Sequence, residues 1–424
     1  MASSQLWLAA GLRTPFAKVD GPLSKRDAIS LSVPVVQAMC GQLKGADRPD
    51  LVVWGTVAPS LRWSNIAREV TLDAEVGTHI PALTTIMACA TSMVGVFAAA
   101  DRLRVGASSL ALVGGSESMS GVQIGINQGF STWLRRFFQA KSVGQRAEML
   151  SALPLKDVRL HIPSVTNRTT GLSMGDGCEL MAKTWKIARE RQDELALESH
   201  QRAVTGWSKG FFDDLVIPID GLTKDVLPRA DTSLAKLAKL KPSFDTESGE
   251  GTLTAGNSSP LTDGAAGIWL ANEEGLARLP SNTPRVRLVD WELAAVDMLR
   301  DGLLMAPAIA IPRLLARHGL TYDGVALWEI HEAFSAQVLC HIAAMEDKAW
   351  LTARAGVTAQ LGSFPWGRMN PNGGSVALGH PFGATGARIL SQAVKELSTY
   401  PAGSLAVVSI CTDGGLGGVA LLSS

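Results

Sequence analysis

The chain has 424 residues, with thirty-nine basic side chains balanced by thirty-nine acidic ones and 46% hydrophobic against 18% charged residues. This composition supports a large buried core and excludes a disordered chain, and its neutral balance leaves no global field for nucleic acid or anionic lipid. At about 150 residues per domain the length predicts two or three compact units, and the apolar runs fall short of the ~20 residues of a membrane span.

Elements follow in chain order. Met1-Ala-Ser-Ser-Gln-Leu-Trp7 has no basic stretch followed by an apolar core, so no secretory leader is expected. Leu51–Val57 reads as a buried strand, and Cys89 opens a helix whose Met93, Val96, Phe97, Ala100 and Leu103 share one face. Ser109–Val113 is a second strand, ending in Gly114-Gly115. From about 121 to 251 the texture changes to turn residues and charges, with a helical run near 192–200, which predicts an excursion from the core. The second half repeats the theme: strand 325–330, helix 333–345, helix 384–397, and strand 405–410 ending at Cys411. Alternating strands and helices predict mixed α/β sheets covered on both faces, with a loose internal duplication.

Five cysteines at wide, irregular spacing (Cys40, Cys89, Cys178, Cys340, Cys411) form neither a disulfide framework nor a Cys-x-x-Cys metal site. They predict a reduced, cytoplasmic protein in which a cysteine acts as a thiol. Cys89 reads alone as a small buried thiol or, at a helix start, as one activated toward thiolate by unpaired N–H groups. His380 lies within Asn372-Gly-Gly-Ser-Val-Ala-Leu-Gly-His-Pro-Phe-Gly-Ala-Thr-Gly386. An imidazole held among glycines suits a general base, and the rival phosphate loop lacks its Gly-Lys-Ser/Thr ending. Cys411 runs into Thr412-Asp-Gly-Gly, which is either a tight hairpin or a turn that aims N–H groups into a pocket. His331-Glu-Ala-Phe-Ser begins where a strand ends and is not a zinc-binding His-Glu-x-x-His. Cys340 fits core packing, and Cys40, Cys178, His79, His161, His200 and His318 read as structural or surface residues.

Taken together these segments resemble the thiolases over essentially the whole chain. Arg13-Thr-Pro-Phe16, Met87-Ala-Cys-Ala90, Gly114-Gly-Ser-Glu-Ser-Met-Ser120, Asn257-Ser-Ser, Thr262-Asp-Gly-Ala265, Gly379-His-Pro-Phe-Gly and Cys411-Thr-Asp-Gly-Gly carry the resemblance. His331, where many thiolases have asparagine, is similar to the subgroup containing the β-subunit of the trifunctional enzyme of fatty-acid oxidation. The resemblance implies an α/β thiolase fold of two similar mixed-sheet domains in an αβαβα arrangement. Residues 1–120 with 252–283 would form the N-terminal domain, 121–251 a CoA-binding loop domain, and 284–424 the C-terminal domain.

It implies Cys89, His331, His380 and Cys411 as catalytic residues and the backbone N–H groups of Cys89 and Asp413 as oxyanion donors. Ser258, Ser259 and Met174 are the implied substrate and CoA contacts. No metal or resident cofactor is implied, CoA being a substrate. The expected reaction is thiolysis of 3-oxoacyl-CoA in fatty-acid β-oxidation. Acetoacetyl-CoA synthesis or cleavage is one rival, and a non-catalytic acyl-CoA-binding subunit is another. A homodimer or homotetramer is expected, with a possible hydratase–dehydrogenase partner. Trp133-Leu-Arg-Arg-Phe-Phe138 reads as an amphipathic helix that packs on its own domain or docks on that partner or a membrane surface. Two departures stand out: Asp176-Gly-Cys178, and Asp413 where a small neutral residue is usual.

Overall fold

The computed structural model describes residues 5–153, 155–161, 163 and 165–424, without the side chains of Asp157 and His161. Met1–Ser4, which open the leader reading, and the His161 side chain lie outside them. Two compact units emerge, residues 5–58, 65–121 and 166–424 forming one, and 59–64 with 122–165 the other. Residues 166–251, grouped in sequence with the excursion, therefore fold with the larger unit.

Twelve strands are present among the described residues: β1 (Trp7–Ala9), β2 (Ala17–Lys18), β3 (Leu51–Gly55), β4 (Ala82–Leu83), β5 (Leu110–Glu117), β6 (Gly125–Ile126), β7 (Leu160–His161), β8 (Thr262–Ala271), β9 (Arg285–Ala295), β10 (Leu327–Ile330), β11 (Leu405–Thr412) and β12 (Leu416–Ser423). In the larger unit the order is β10-β11-β12-β9-β1-β8-β5-β3-β4, with β2 beside β8. Each half repeats one pattern. A parallel pair (β3 with β5, β10 with β11) is extended by two antiparallel strands (β8 and β1, β12 and β9). The halves meet where β1 pairs β9. This is the internal duplication expected from the repeated strand–helix texture.

β3, β5 and β8 are buried along their whole length, which is why the starts of β3 and β5 read in sequence as apolar runs, whereas β8 opens on Thr262-Asp-Gly and gave no such signal. The helices Thr91–Arg104 and Phe382–Leu397 pack on each other, and the second also touches β5, β8, β10 and β11. It is buried almost all round, as a helix between two sheet halves must be. Gly114-Gly115 was expected to end a strand, but β5 continues through both to Glu117. A methyl group on Gly115 would lie 2.2 Å from the carbonyl oxygen of Gly383. These glycines mark a close approach of helix backbone to strand.

The helix anticipated near 192–200 spans Arg189–Ser208, and Met174–Thr184 precedes it with a capping box between Ser173 and Asp176. In the smaller unit the helix Gln128–Gln139 stacks Phe130, Trp133 and Phe137, with ring centroids 5.8 and 5.3 Å apart. Trp133 Nε1 donates to the carbonyl of Met149 in the next helix, Val143–Ser151, while Phe138 is exposed. Among the described residues no helix is long and apolar enough to cross a membrane.

Candidate active site

Cys89 sits in a 3₁₀ turn, Ala88–Ala90, at the entrance to the helix Thr91–Arg104. Ala88 has φ +42°, a strained value for a residue with a side chain. Thr91 Oγ1 holds the turn by accepting from the Met87 N–H and donating to the Ala88 carbonyl. Thr412 Oγ1, from β11, donates to the Met87 carbonyl at 2.8 Å. The turn is thus pinned from its own helix and from the other half of the molecule, leaving Cys89 half-buried.

The expectation that the helix start favours thiolate fails here. Burial pushes the Cys89 thiol up to about 12, and the nearby Asp413 carboxylate pushes the same way. The backbone N–H of Cys89 itself and then the Thr412 side chain oppose them with less effect. The resting group is a thiol, and it needs a base.

His380 is one of two imidazoles within reach. Its backbone follows Gly379, whose φ of +93° and close packing on Thr262 require glycine, and its N–H donates to Thr262 Oγ1 at 3.0 Å. Nδ1 lies 2.6 Å from Thr385 Oγ1, and that hydroxyl is 2.8 Å from the Pro381 carbonyl. Both contacts are hydrogen bonds only if Thr385 donates to Pro381 and accepts from Nδ1–H. Nε2 then carries a bare lone pair, and it is buried with no partner among the described residues. Burial, seconded by the Arg388 charge, lowers the imidazole to about 3, so it is neutral and able to accept a proton.

His331 follows β10, its N–H bonded to the Ser409 carbonyl. Nδ1 is 2.9 Å from Ser375 Oγ, and Nε2 is buried and unpartnered among the described residues. The two imidazole centroids are 4.2 Å apart. Cys89 Sγ and one ring nitrogen of each histidine all lie within 4.8 Å of one another. A thiol and two imidazoles at this spacing could also hold a soft cation.

Cys411 is the penultimate residue of β11, opposite Gly417 of β12. It is fully buried, and its thiol is pushed well above its ordinary value, first by burial and then by the neighbouring Cys89 thiol. The loop Asp413-Gly-Gly joins β11 to β12 with φ +83° and +71° at Gly414 and Gly415. Asp413 Oδ1 accepts from the Gly414 N–H at 2.6 Å and from Asn167 Nδ2 at 2.7 Å.

Ser258 and Ser259 run beside the residues that follow His331. Ser258 bridges Phe334, and the Ser259 N–H donates to Ala333. Ser258 Oγ is buried without a partner among the described residues. Met174 packs against the apolar cluster containing Phe334 and Cys411. Phe244 contacts Phe334 edge-on at 5.8 Å, and a methyl on Gly175 would meet the Phe244 ring.

Other candidates stay structural. His341 bonds the Leu304 carbonyl, His200 accepts from the Arg229 N–H, His318 meets Asp290, and His79 is exposed. Cys40, Cys178 and Cys340 are buried. Sequence reasoning missed Thr385, Thr412, Ser375 and Arg388. Thr385 and Thr412 lie within the quoted motifs, but nothing in a linear pattern says which atom each would hold.

The comparisons with known proteins place the chain in a family. Family models described as the thiolase N-terminal and C-terminal domains match residues 7–274 and 282–424. A 3-ketoacyl-CoA thiolase from Yersinia enterocolitica is 36% identical over 417 residues, covering 97% of this chain and 94% of that protein. Human mitochondrial 3-ketoacyl-CoA thiolase superposes with a TM-score of 0.80 at 28% identity, covering 100% of both chains. A Bacillus anthracis acetyl-CoA acetyltransferase gives 0.78 at 28% identity, covering 100% of this chain and 99% of that one. With both halves matched and the sulfur–imidazole cluster assembled between them, the chain belongs to the thiolase family.

Proposed function

We propose that this protein is a 3-ketoacyl-CoA thiolase that cleaves 3-oxoacyl-CoA with CoA to acetyl-CoA and a shortened acyl-CoA. The observation that carries the reading is the convergence of Cys89 Sγ with a ring nitrogen of both His331 and His380 within 4.8 Å, with His380 Nε2 buried and without a partner among the described residues and the buried Cys411 thiol as neighbour of Cys89. His380 Nε2 takes the Cys89 proton, and the thiolate attacks the 3-keto carbon. The bond between C2 and C3 breaks, leaving an acyl-Cys89 thioester and the acetyl-CoA enolate, whose carbon Cys411 protonates. Incoming CoA returns a proton to Cys411, its thiolate takes the acyl group, and the released Cys89 thiolate recovers its proton from His380.

His380 and a water held by His331 bind the enolate oxygen in this reading, and the N–H groups of Cys89 and Asp413 hold the other developing oxyanion. Ser258, Ser259 and Met174 contact the pantetheine, and residues 121–251 supply CoA contacts. The chemistry needs no metal or resident cofactor, so chelators should leave it unchanged. Thiolysis in fatty-acid β-oxidation, a cytoplasmic location, a homodimer or homotetramer and a hydratase–dehydrogenase partner complete the reading.

Loss of 3-oxoacyl-CoA enolate absorbance on adding CoA tests the reaction, and mass spectrometry should find the acyl group on Cys89. A Cys89→Ser protein that retains full turnover defeats the assignment. The acetyl-CoA acetyltransferase likeness favours one rival, acetoacetyl-CoA chemistry. A rate survey from four-carbon substrates upward separates the two, because activity confined to four carbons leaves only the rival.

A further inference from the structure

The helix Phe382–Leu397 reaches both active-site imidazoles from behind. Thr385 holds His380 directly, and Arg388, three residues on and on the same face, reaches His331 through Ser375. Arg388 is 2% exposed. Its Nη2 donates to Ser375 Oγ and its Nη1 to Gln392 Oε1 at 3.2 Å.

A guanidinium can only donate, so Ser375 Oγ is an acceptor toward Arg388 and has its own proton left to place. No other acceptor for that proton occurs among the described residues, and a buried hydroxyl that fails to donate is costly. It donates to His331 Nδ1, which leaves the ring proton on Nε2. The opposite assignment would strand the serine proton and set two bare Nε2 lone pairs near each other.

We propose that Arg388 and Ser375 are positioning residues that lock His331 as the Nε2–H tautomer. It is thereby a hydrogen-bond donor facing the reacting oxygen, while Thr385 locks His380 in the opposite tautomer as the base. The pair of imidazoles thus divides into one donor and one acceptor, although both are histidines in the same cluster. The inference rests on the thiolase reading for what His331 donates to, but not for which nitrogen carries the proton.

The electrostatics agree. Burial, then His380, Arg388 and His341, hold His331 well below its ordinary value, so it donates as a neutral ring. The groups facing the two imidazoles are Cys89, Arg388 and His341, with Cys411 beside Cys89 and Glu329 and Glu332 near Arg388. Glu332 is held by Ser199 and Asn370 and does not touch the rings through any hydrogen bond.

The test is ¹⁵N NMR of the full chain labelled at histidine, with His331 assigned by its loss in His331→Gln. His331 should carry its proton on Nε2, Ser375→Ala should move it to Nδ1 or a mixture, and Ser375→Thr should restore the native pattern. Thiolysis by Ser375→Ala should lose roughly a hundredfold in kcat, the usual cost of one oxyanion donor, with KM little changed. A native Nδ1–H on His331, or a Ser375→Ala protein with unaltered tautomer, overturns the proposal. If Ser375→Ala does not fold, the native spectrum alone decides. Failure of the whole chain to catalyse thiolysis defeats the functional reading and leaves the tautomer result standing.

Discussion

The two halves of the sheet present their cysteines differently. Cys89 stands half-buried in a strained turn at a helix entrance, near an imidazole nitrogen that has no partner among the described residues, whereas Cys411 is buried near the end of a strand. Burial pushes both thiols up. In the proposed mechanism, activation therefore comes from the partner that each thiol meets, and one repeated scaffold would yield a nucleophile and a proton shuttle.

The sharpest break of this comparison is substitution of each sulfur in turn. Both Cys89→Ala and Cys411→Ala should lose at least about a thousandfold in thiolysis. Only the first should abolish alkylation by iodoacetamide at the active site, read by mass spectrometry. Next in size, His380→Ala should lose about a hundred- to ten-thousandfold in kcat/KM, the range for a general base. A near-native His380→Ala rate would mean that the Cys89 thiol is activated some other way.

A smaller effect concerns Asp413, whose carboxylate raises the Cys89 thiol. Asp413→Asn should lower that pKa and speed alkylation at pH 8 on the order of threefold, with a smaller gain above the shifted midpoint. Equal rates would show that the carboxylate does not reach the sulfur electrostatically. The smallest effect is on stability. Burial raises Glu329 to about 8, so its protonated form is favoured in the fold; the benefit is complete below pH 4.5 and is lost as pH rises through 8. Glu329→Gln should leave the melting temperature nearly unchanged at pH 5 and raise it by about 2–4 °C at pH 9, the shift that about 1 kcal/mol gives in a large domain.

Much of this was legible in the residues. The strands at 51–57, 109–113, 325–330 and 405–410 announced themselves as apolar runs, and of the four catalytic candidates His380 and Cys411 stood in glycine-rich motifs, Cys89 at a helix start and His331 at a strand end. Linear patterns could not report close approach. Gly114-Gly115 looks like a turn in one dimension, and only the packing of Gly383 reveals why the strand needs it. The helix-start argument for Cys89 counted donors without counting desolvation, which proved the larger effect. The partners of the imidazoles were hidden because Ser375 and Arg388 lie thirteen residues apart on different elements, joined by a single hydroxyl.

The contact between Gly115 and Gly383 has a bearing on how such an enzyme can change over time. Main chain rests on main chain there, at the foot of the helix that orients His380, so no side chain can be trimmed to make room. If Met174 meets the substrate as proposed, room for change lies there, where a thioether packs near the Phe244–Phe334 ring pair and can shift. Evolution at this site is channelled: the backbone seam behind His380 is held fixed while the apolar side chains around Met174 stay open to drift.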